Sequence, residues 1–288
     1  MKNKVHKLIL GTVQFGLDYG INNSSGQVGR DEAFRILDCC ADRGIRYLDT
    51  APAYGTSEQL LGDYFNQRVG HDFQVITKLN KTDNIGLAKS VTESLRLLNC
   101  QKLNTILFHS FDHYKKAQLI ELQELKNEGI IEKIGVSIYT NHEVLEIIDD
   151  NQIDLIQLPF NLLDNHSQRG EVLTLAKNSG KEIHTRSVFL QGLFFRESEL
   201  ISPKLTPLKK HLNSLGQLAS DFNIPMNQLA LGYALSKDYI DAVLIGVDSQ
   251  KQLLSNVDLI NKPLDNQIFQ EIDTIDVKER ELLYPFNW

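Results

Sequence analysis

Residues 105–137 read TILFHSFDHYKKAQLIELQELKNEGIIEKIGVS. Thr105–His109 is a short apolar run, and Lys133–Ser137 is another. Neither alternates cleanly with polar residues, which is the pattern of a strand buried on both faces. Between them Lys115–Asn127 has helical spacing, and Gly129 follows where a left-handed residue is wanted. Strand, helix and strand in that order predict two parallel strands joined by a right-handed crossover.

The same unit recurs along the chain. Further strands are expected at Leu8–Thr12, Arg46–Thr50, Phe73–Lys78, Leu155–Leu158, Glu182–Ser187 and Ala242–Gly246. Helices are expected at Asp31–Asp42, Ser57–Phe65 (with Ser57 as N-cap), Leu87–Leu98, Asn141–Asp149, Gln168–Lys177, Leu208–Asp221, Met226–Leu235, Gln250–Leu259 and Asn266–Ile275. Gly44 and Gly180 also fall just after helices. Eight strands with helices between them close into an α/β (β/α)8 TIM barrel, parallel and eight-stranded. A doubly wound open sheet is the alternative, and it calls for a glycine-rich phosphate loop after the first strand. The stretch there, GTVQFGLDYG, places Gly11 and Gly16 five apart, which is not the G-x-G-x-x-G spacing. No linker or composition shift divides residues 1–288, so one barrel domain accounts for all of them. The longest connection without a helical pattern, Leu190–Pro207, follows the seventh strand and belongs at the C-terminal rim, where barrels build their sites.

Composition narrows the function classes. Hydrophobic residues make up 42% and charged residues 23% of the 288, which excludes a disordered chain. No apolar run approaches the ~20 residues needed to span a bilayer, and the N-terminal apolar run is too short for a signal peptide. A net charge of -7 disfavours nucleic-acid and anionic-membrane partners. Three cysteines make no disulfide framework. Cys39 and Cys40 sit in an apolar helical pattern, and all three read as reduced thiols of a cytoplasmic protein. Nothing in the sequence decides the oligomeric state.

The chemistry is expected at strand ends. Asp49 ends the second strand, Tyr54 lies five residues later, Lys78 ends the third strand and His109 the fourth. Charged residues ending apolar runs are costly to bury unless paired. A phenol holds its proton at neutral pH, and a neighbouring ammonium makes that proton easier to give. Asp49 would pair with Lys78 and keep it charged, Tyr54 would protonate a forming alkoxide, and His109 would orient the carbonyl oxygen. No side chain supplies a hydride, so a nicotinamide cofactor is implied. His109 and His113 are four apart, but His109 ends a strand. Helical metal-ligand spacing therefore does not apply, and no metal is expected.

The stretches LGTVQFG, YLDTAPAYGTSEQLLG, VITK, ILFHS, KIGVS, IQLPFN, LQGLF and LIGVDSQKQLLSNV occur in the order of the aldo-keto reductase family, which the chain resembles over nearly its whole length. The resemblance implies Asp49, Tyr54, Lys78 and His109 as the catalytic tetrad. It also implies NADPH, or less often NADH, as cofactor and a small-molecule carbonyl as substrate, reduced or formed by hydride transfer. Gly11, Thr12 and Val13 correspond to the loop near the nicotinamide ribose, and Ser137 and Gln157, with Asn161 after them, to the carboxamide. Arg186, Ser187, Leu190, Gln191 and Gly192 correspond to the loop over the pyrophosphate. Ile245, Gly246, Val247, Ser249, Gln252 and Asn256 correspond to the adenosine end, where a helix N-terminus favours phosphate.

Two departures stand out. The arginines that many members place after the last strand are absent from GVDSQKQ, where Asp248 would repel a 2′-phosphate and Lys251 attract it, so coenzyme preference stays open. Ile138 and Tyr139 follow Ser137, where an Asn is common. Phe15, Tyr19 and the C-terminal YPFNW are candidates for the substrate wall or for plain packing. Sugar derivatives, small aldehydes and ketones all remain as substrates. The functional alternatives are a regulatory barrel that holds coenzyme with little turnover and a metal-dependent barrel hydrolase or lyase.

Overall fold

The computed structural model describes residues 4–79 and 86–288. Eight strands run in sequence order around a closed barrel, every neighbouring pair parallel. They are β1 (Leu8–Gly11), β2 (Tyr47–Asp49), β3 (Gln74–Leu79), β4 (Leu103–Phe108), β5 (Ile131–Ser137), β6 (Leu155–Pro159), β7 (Glu182–Arg186) and β8 (Ala242–Ile245). The outer layer comprises α1 (Val13–Gly16), α2 (Arg30–Arg43), α3 (Ser57–Gln67), α4 (Leu87–Leu98), α5 (Leu119–Asn127), α6 (Asn141–Ile147), α7 (His166–Asn178), α8 (Lys209–Asp221), α9 (Met226–Ala234), α10 (Gln250–Leu259) and α11 (Asn266–Asp273). Among the described residues no helix is long and apolar enough to cross a membrane.

The two-residue period of the strands sorts the core into two parts. Leu8 and Leu10 of β1 face outward into a large apolar layer shared with the helices. Ile9 faces inward and meets Ile76, Leu107, Leu155, Ala242 and Leu244, with Tyr47 against them. That small cluster plugs the barrel and forms the floor on which the next layer of side chains stands.

Several boundaries differ from the sequence expectation. The helix expected from Lys115 starts at Leu119, because Phe111–His113 and Lys116–Gln118 form separate 3-10 turns. Ser57 opens α3 but does not cap it. Its buried hydroxyl donates to the Thr12 carbonyl (3.0 Å), which ties α3 to the end of β1. The α1 turn was invisible to periodicity, since four residues ending in glycine carry none. Leu190–Pro207 winds into three 3-10 segments, at Leu190–Phe195, Ser198–Leu200 and Pro203–Leu208. Gly44, with φ 84°, closes α2 as expected.

Candidate active site

The residues two positions beyond the inward floor form the next layer up, one from each strand. Ile9 leads to Gly11, Tyr47 to Asp49, Ile76 to Lys78, Leu107 to His109, and Leu155 to Gln157. Ser137, Arg186 and Gly246 complete the ring from β5, β7 and the end of β8. All eight line one cleft of about 850 Å³ at the C-terminal rim. This volume falls within the range of small-molecule and cofactor sites, roughly 300–1,000 Å³.

An ion pair lies at the bottom of the cleft. Lys78 Nζ donates to Asp49 Oδ1 at 2.5 Å and to the Thr50 carbonyl at 2.9 Å, and both charged side chains are 2% exposed. Gln157 Nε2 donates to the other Asp49 oxygen at 2.8 Å. The remaining face of the ammonium is turned to Tyr54, with the ring centroid 4.8 Å away. His109 stands edge-on to Tyr54, with centroids 6.0 Å apart and planes at 83°.

These contacts set the protonation states. Burial works against the charge on Lys78, but Asp49 and then Tyr54 outweigh it and hold the lysine pKa above its ordinary value. Burial raises the Tyr54 phenol above the usual tyrosine value, while Lys78 pulls it back down. His109 is lowered to about 4, by burial first and the Lys78 charge second, so its imidazole is neutral near pH 7.

Tyr54 is fixed by an unusually close chain crossing. A Cβ added at Gly16 would fall 1.7 Å from the Tyr54 carbonyl oxygen, and one at Gly55 (φ 59°) would fall 2.4 Å from the Gly16 oxygen. Only two glycines let the first loop and the Tyr54 loop touch there.

The sequence-derived contacts divide. Gly11, Thr12, Val13, Ser137, Gln157, Arg186, Ser187, Gln191, Gly192, Ile245, Gly246, Ser249, Gln252 and Asn256 all border the cleft. Leu190 and Val247 are buried in the apolar core instead. Asn161 is fully buried and shapes its own loop. Its Oδ1 accepts from the Leu163 and Asp164 amides, and its Nδ2 donates to the Ser187 carbonyl. Phe15 is likewise a core residue at 0% exposure, whereas Tyr19 does reach the cleft. Tyr284 and Phe286 pack around Tyr139 and do not border the cleft. Gln14, Asn22, Tyr139, Phe189 and Asn227 line it without having been read from the sequence. The proximity of Tyr139 to Ser137 was the only signal for any of them.

The first loop and the loop after β7 meet over the cleft. Asn22 Nδ2 donates to the Gly192 carbonyl (2.6 Å), the Ile21 amide to the Gln191 carbonyl (3.2 Å), and Arg196 to the Ile21 carbonyl. Ser187, Leu190 and Gln191 have φ of 60°, 47° and 54°, a left-handed conformation that costs energy in non-glycine residues.

A model of the aldo/keto reductase family matches residues 7–277. The chain belongs to this family. It is 26% identical over 288 residues to the L-galactose dehydrogenase of Arabidopsis thaliana, covering 90% of this chain and 89% of that protein. It is 22% identical over 290 residues to a D-threo-aldose 1-dehydrogenase of Pseudomonas, covering 84% and 88%. Among solved structures, the holo form of an aldo-keto reductase from Bacillus halodurans superposes with a TM-score of 0.75. It shares 24% identity and covers 95% of this chain and 94% of that one. The (β/α)8 barrel is the fold of these relatives, and aldo-keto reductases are oxidoreductases that use nicotinamide cofactors.

The cleft of this aldo-keto reductase suits such a cofactor. Among the described residues Gln157 Oε1 is buried without a partner while its Nε2 is committed to Asp49, so an acceptor awaits a donor such as a carboxamide. A Cβ on Gly246 would fall 2.5 Å from Gln14 Nε2, so the bare glycine leaves that side chain its present place at the cleft. At the far end Ser249 caps α10, its side chain accepting from the Gln252 amide.

Proposed function

We propose that this aldo-keto reductase reduces a small aldehyde or ketone with a nicotinamide coenzyme, using Tyr54 as proton donor. The observation that carries the reading is the buried Asp49–Lys78 pair turned toward Tyr54. Burial keeps the phenol protonated at neutral pH, which a proton donor requires. The neighbouring ammonium lowers the cost of the phenolate left when the proton moves to the carbonyl oxygen. Asp49 keeps that ammonium charged. Neutral His109 orients the carbonyl oxygen by hydrogen bonding, without competing as an acid. A bound nicotinamide supplies the hydride.

Gln157 and Ser137 would hold the carboxamide, Gly11–Val13 the ribose, and Gln191 and Gly192 the pyrophosphate. Gly246, Ser249, Gln252 and Asn256 would hold the adenosine end. Around the α10 N-terminus the charges are mixed. Glu32 Oε1 accepts from the Gln250 amide at 2.7 Å, taking an N–H that a phosphate would use. Asp248 lines the same end beside Lys251. Glu32 is itself paired with Arg35 at 2.5 Å, which leaves Asp248 and Lys251 to offset each other, so the coenzyme is NADPH or NADH. The sugar-oxidising relatives support an aldose or sugar-derived aldehyde as substrate class.

The test is coenzyme oxidation with a panel of aldehydes by the wild type and by Tyr54→Phe. Loss of a general acid should lower kcat by about 100-fold or more. A wild type that never exceeds the Phe variant would refute the assignment.

A further inference from the structure

We infer that Ser57 is a positioning residue for the proton transfer: its buried hydroxyl closes the loop that carries Tyr54 and ties that loop to the residues holding the Lys78 ammonium. The inference rests on the proposed reduction and deepens it.

Tyr54 stands on the loop between β2 and α3. Its amide donates to the Ala51 carbonyl at 2.9 Å, and its carbonyl accepts from the Ser57 amide at 3.1 Å. These bonds shape the turn, and side chains join its two ends. Thr50 stands at one end and Ser57 at the other, with their hydroxyl oxygens 3.0 Å apart. Ser57 Oγ also donates toward Thr12, whose Oγ1 and carbonyl oxygen lie at 2.8 and 3.0 Å. Thr12, Thr50 and Ser57 are all fully buried.

Counting protons gives this cluster a direction. A hydroxyl has one proton to give and two lone pairs to receive. The Thr12 hydroxyl gives its proton to the Asp49 carbonyl at 3.0 Å, which can only accept. Ser57 gives its proton to Thr12. The bond between Thr50 and Ser57 must therefore take its proton from Thr50. The hydroxyls run one way, from Thr50 to Ser57 to Thr12, and end on the backbone of Asp49. Each proton of the cluster is spent, as burial requires.

Both ends of this chain belong to the buried ion pair. The Thr50 carbonyl accepts from Lys78 Nζ at 2.9 Å, and the Asp49 carboxylate accepts from the same ammonium at 2.5 Å. Ser57 is the middle member and the only one on α3. It thus joins the backbone that carries the phenol to the backbone that fixes the ammonium. Loss of its hydroxyl would orphan the Thr50 proton and release the start of α3 from the ends of β1 and β2. The Tyr54 ring, now 4.8 Å from Lys78 Nζ, would no longer be held against the ammonium.

The experiment compares wild type, Ser57→Ala, Thr50→Val and the double variant. In Ser57→Ala kcat should fall about 10- to 100-fold, while KM and the coenzyme Kd stay within about threefold. The solvent deuterium isotope effect on kcat should rise, because transfer from a displaced Tyr54 becomes the slow step. A merely structural role would lower Tm and the active fraction and leave that isotope effect where it was. Thr50→Val should cost less, since it leaves only a lone pair unfilled. The double variant should be no slower than Ser57→Ala, since it removes the donor that Ser57→Ala orphans. A kcat within about threefold of wild type overturns the inference. So does a lower kcat with an unchanged isotope effect, or losses that multiply in the double variant. Amide hydrogen exchange over residues 51–57 needs no turnover. Faster exchange in Ser57→Ala than in wild type upholds the tie, and equal exchange overturns it. Should the wild type reduce no aldehyde at all, the proposed reduction fails by itself, and the exchange rates still decide whether Ser57 holds the Tyr54 loop.

Discussion

Replacing Asp49 with Asn removes one charge and almost no volume from the floor of the site. Lys78 Nζ and Asp49 Oδ1 are 2.5 Å apart, and both side chains are 2% exposed. Removing one partner of a buried pair costs about 3–5 kcal/mol. Here the hydrogen bonds can be rebuilt. The new amide oxygen accepts from Lys78, and the Gln157 amide, whose Oε1 is free, turns to accept from the new NH2. The loss is then mainly the charge, at the low end of that range, about 3 kcal/mol. For a chain of this size it lowers Tm by about 5 °C. The pH dependence has a definite sign. In the wild type Lys78 is held above the ordinary lysine value. Its contribution is complete below that value, near 10.4, and fades as pH rises through the raised folded pKa. In the variant burial prevails and the folded pKa drops below the unfolded one. The folded state then binds fewer protons, and stability rises with pH up to about 10.4. The alkaline limb of the reductase profile moves down with it, because Tyr54 loses its ammonium sooner. The assay is Tm by calorimetry from about pH 7 to about pH 11, set beside kcat at each pH. A variant that melts with the wild type, or whose curve falls in parallel with it at alkaline pH, would show that the pair does not hold Lys78 charged.

Two further outcomes test other parts of the site. Asp248→Arg should raise NADPH affinity about tenfold relative to NADH, since it replaces a carboxylate beside α10 with a phosphate-binding fork. An unchanged ratio in a coenzyme titration would mean that position 248 does not face the 2′ oxygen. Gly16→Ala would place a Cβ 1.7 Å from the Tyr54 carbonyl, so the Tyr54 loop must shift. A displacement near 1 Å costs about 100-fold in rate, so kcat should fall by roughly that much while circular dichroism shows a folded barrel. Full turnover would mean that the loop crossing does not position Tyr54.

The barrel was legible because its signal is repeated eight times and each strand is a near-continuous apolar run. The strand-end layer was legible for a related reason. A charged or polar residue that closes such a run has few places to go except the rim, and Asp49, Lys78 and His109 all lie there. Exceptions arose where side chains turn away from the lumen. Val247, next to Gly246, points into the core by the same two-residue period that points Gly246 into the cleft. Asn161 looked like a ligand contact, but its polar atoms are consumed by backbone groups of its own loop and by Ser187. Asn22, Phe189 and Asn227 come from loops and from the start of α9, where no periodicity says which way a side chain points. The contact between Asn22 and Gly192 joins residues 170 apart in sequence. It depends on left-handed backbone at Ser187, Leu190 and Gln191 that no propensity would assign to those residues.

The net charge of -7 poses a physical question for a protein proposed to hold an anionic coenzyme, and the barrel answers it locally. The cleft is bordered by Lys78, Arg186 and Lys251 against Asp49 and Asp248. His109, with its pKa lowered to about 4, adds nothing at neutral pH. The groove is therefore positive while the surface is negative, and low-dielectric walls focus the field within it. The two cations other than Lys78 are also spatially separated. Lys251 lies at the α10 end, where Asp248 and Glu32 compete with any phosphate, and Arg186 lies at the reacting end, where Asp49 is already committed to Lys78. Arg186, the cation without a carboxylate partner among the described residues, lies at the end of β7, between Gln157 of β6 and Gly246 after β8, on the path proposed for the coenzyme from its carboxamide to its adenosine end.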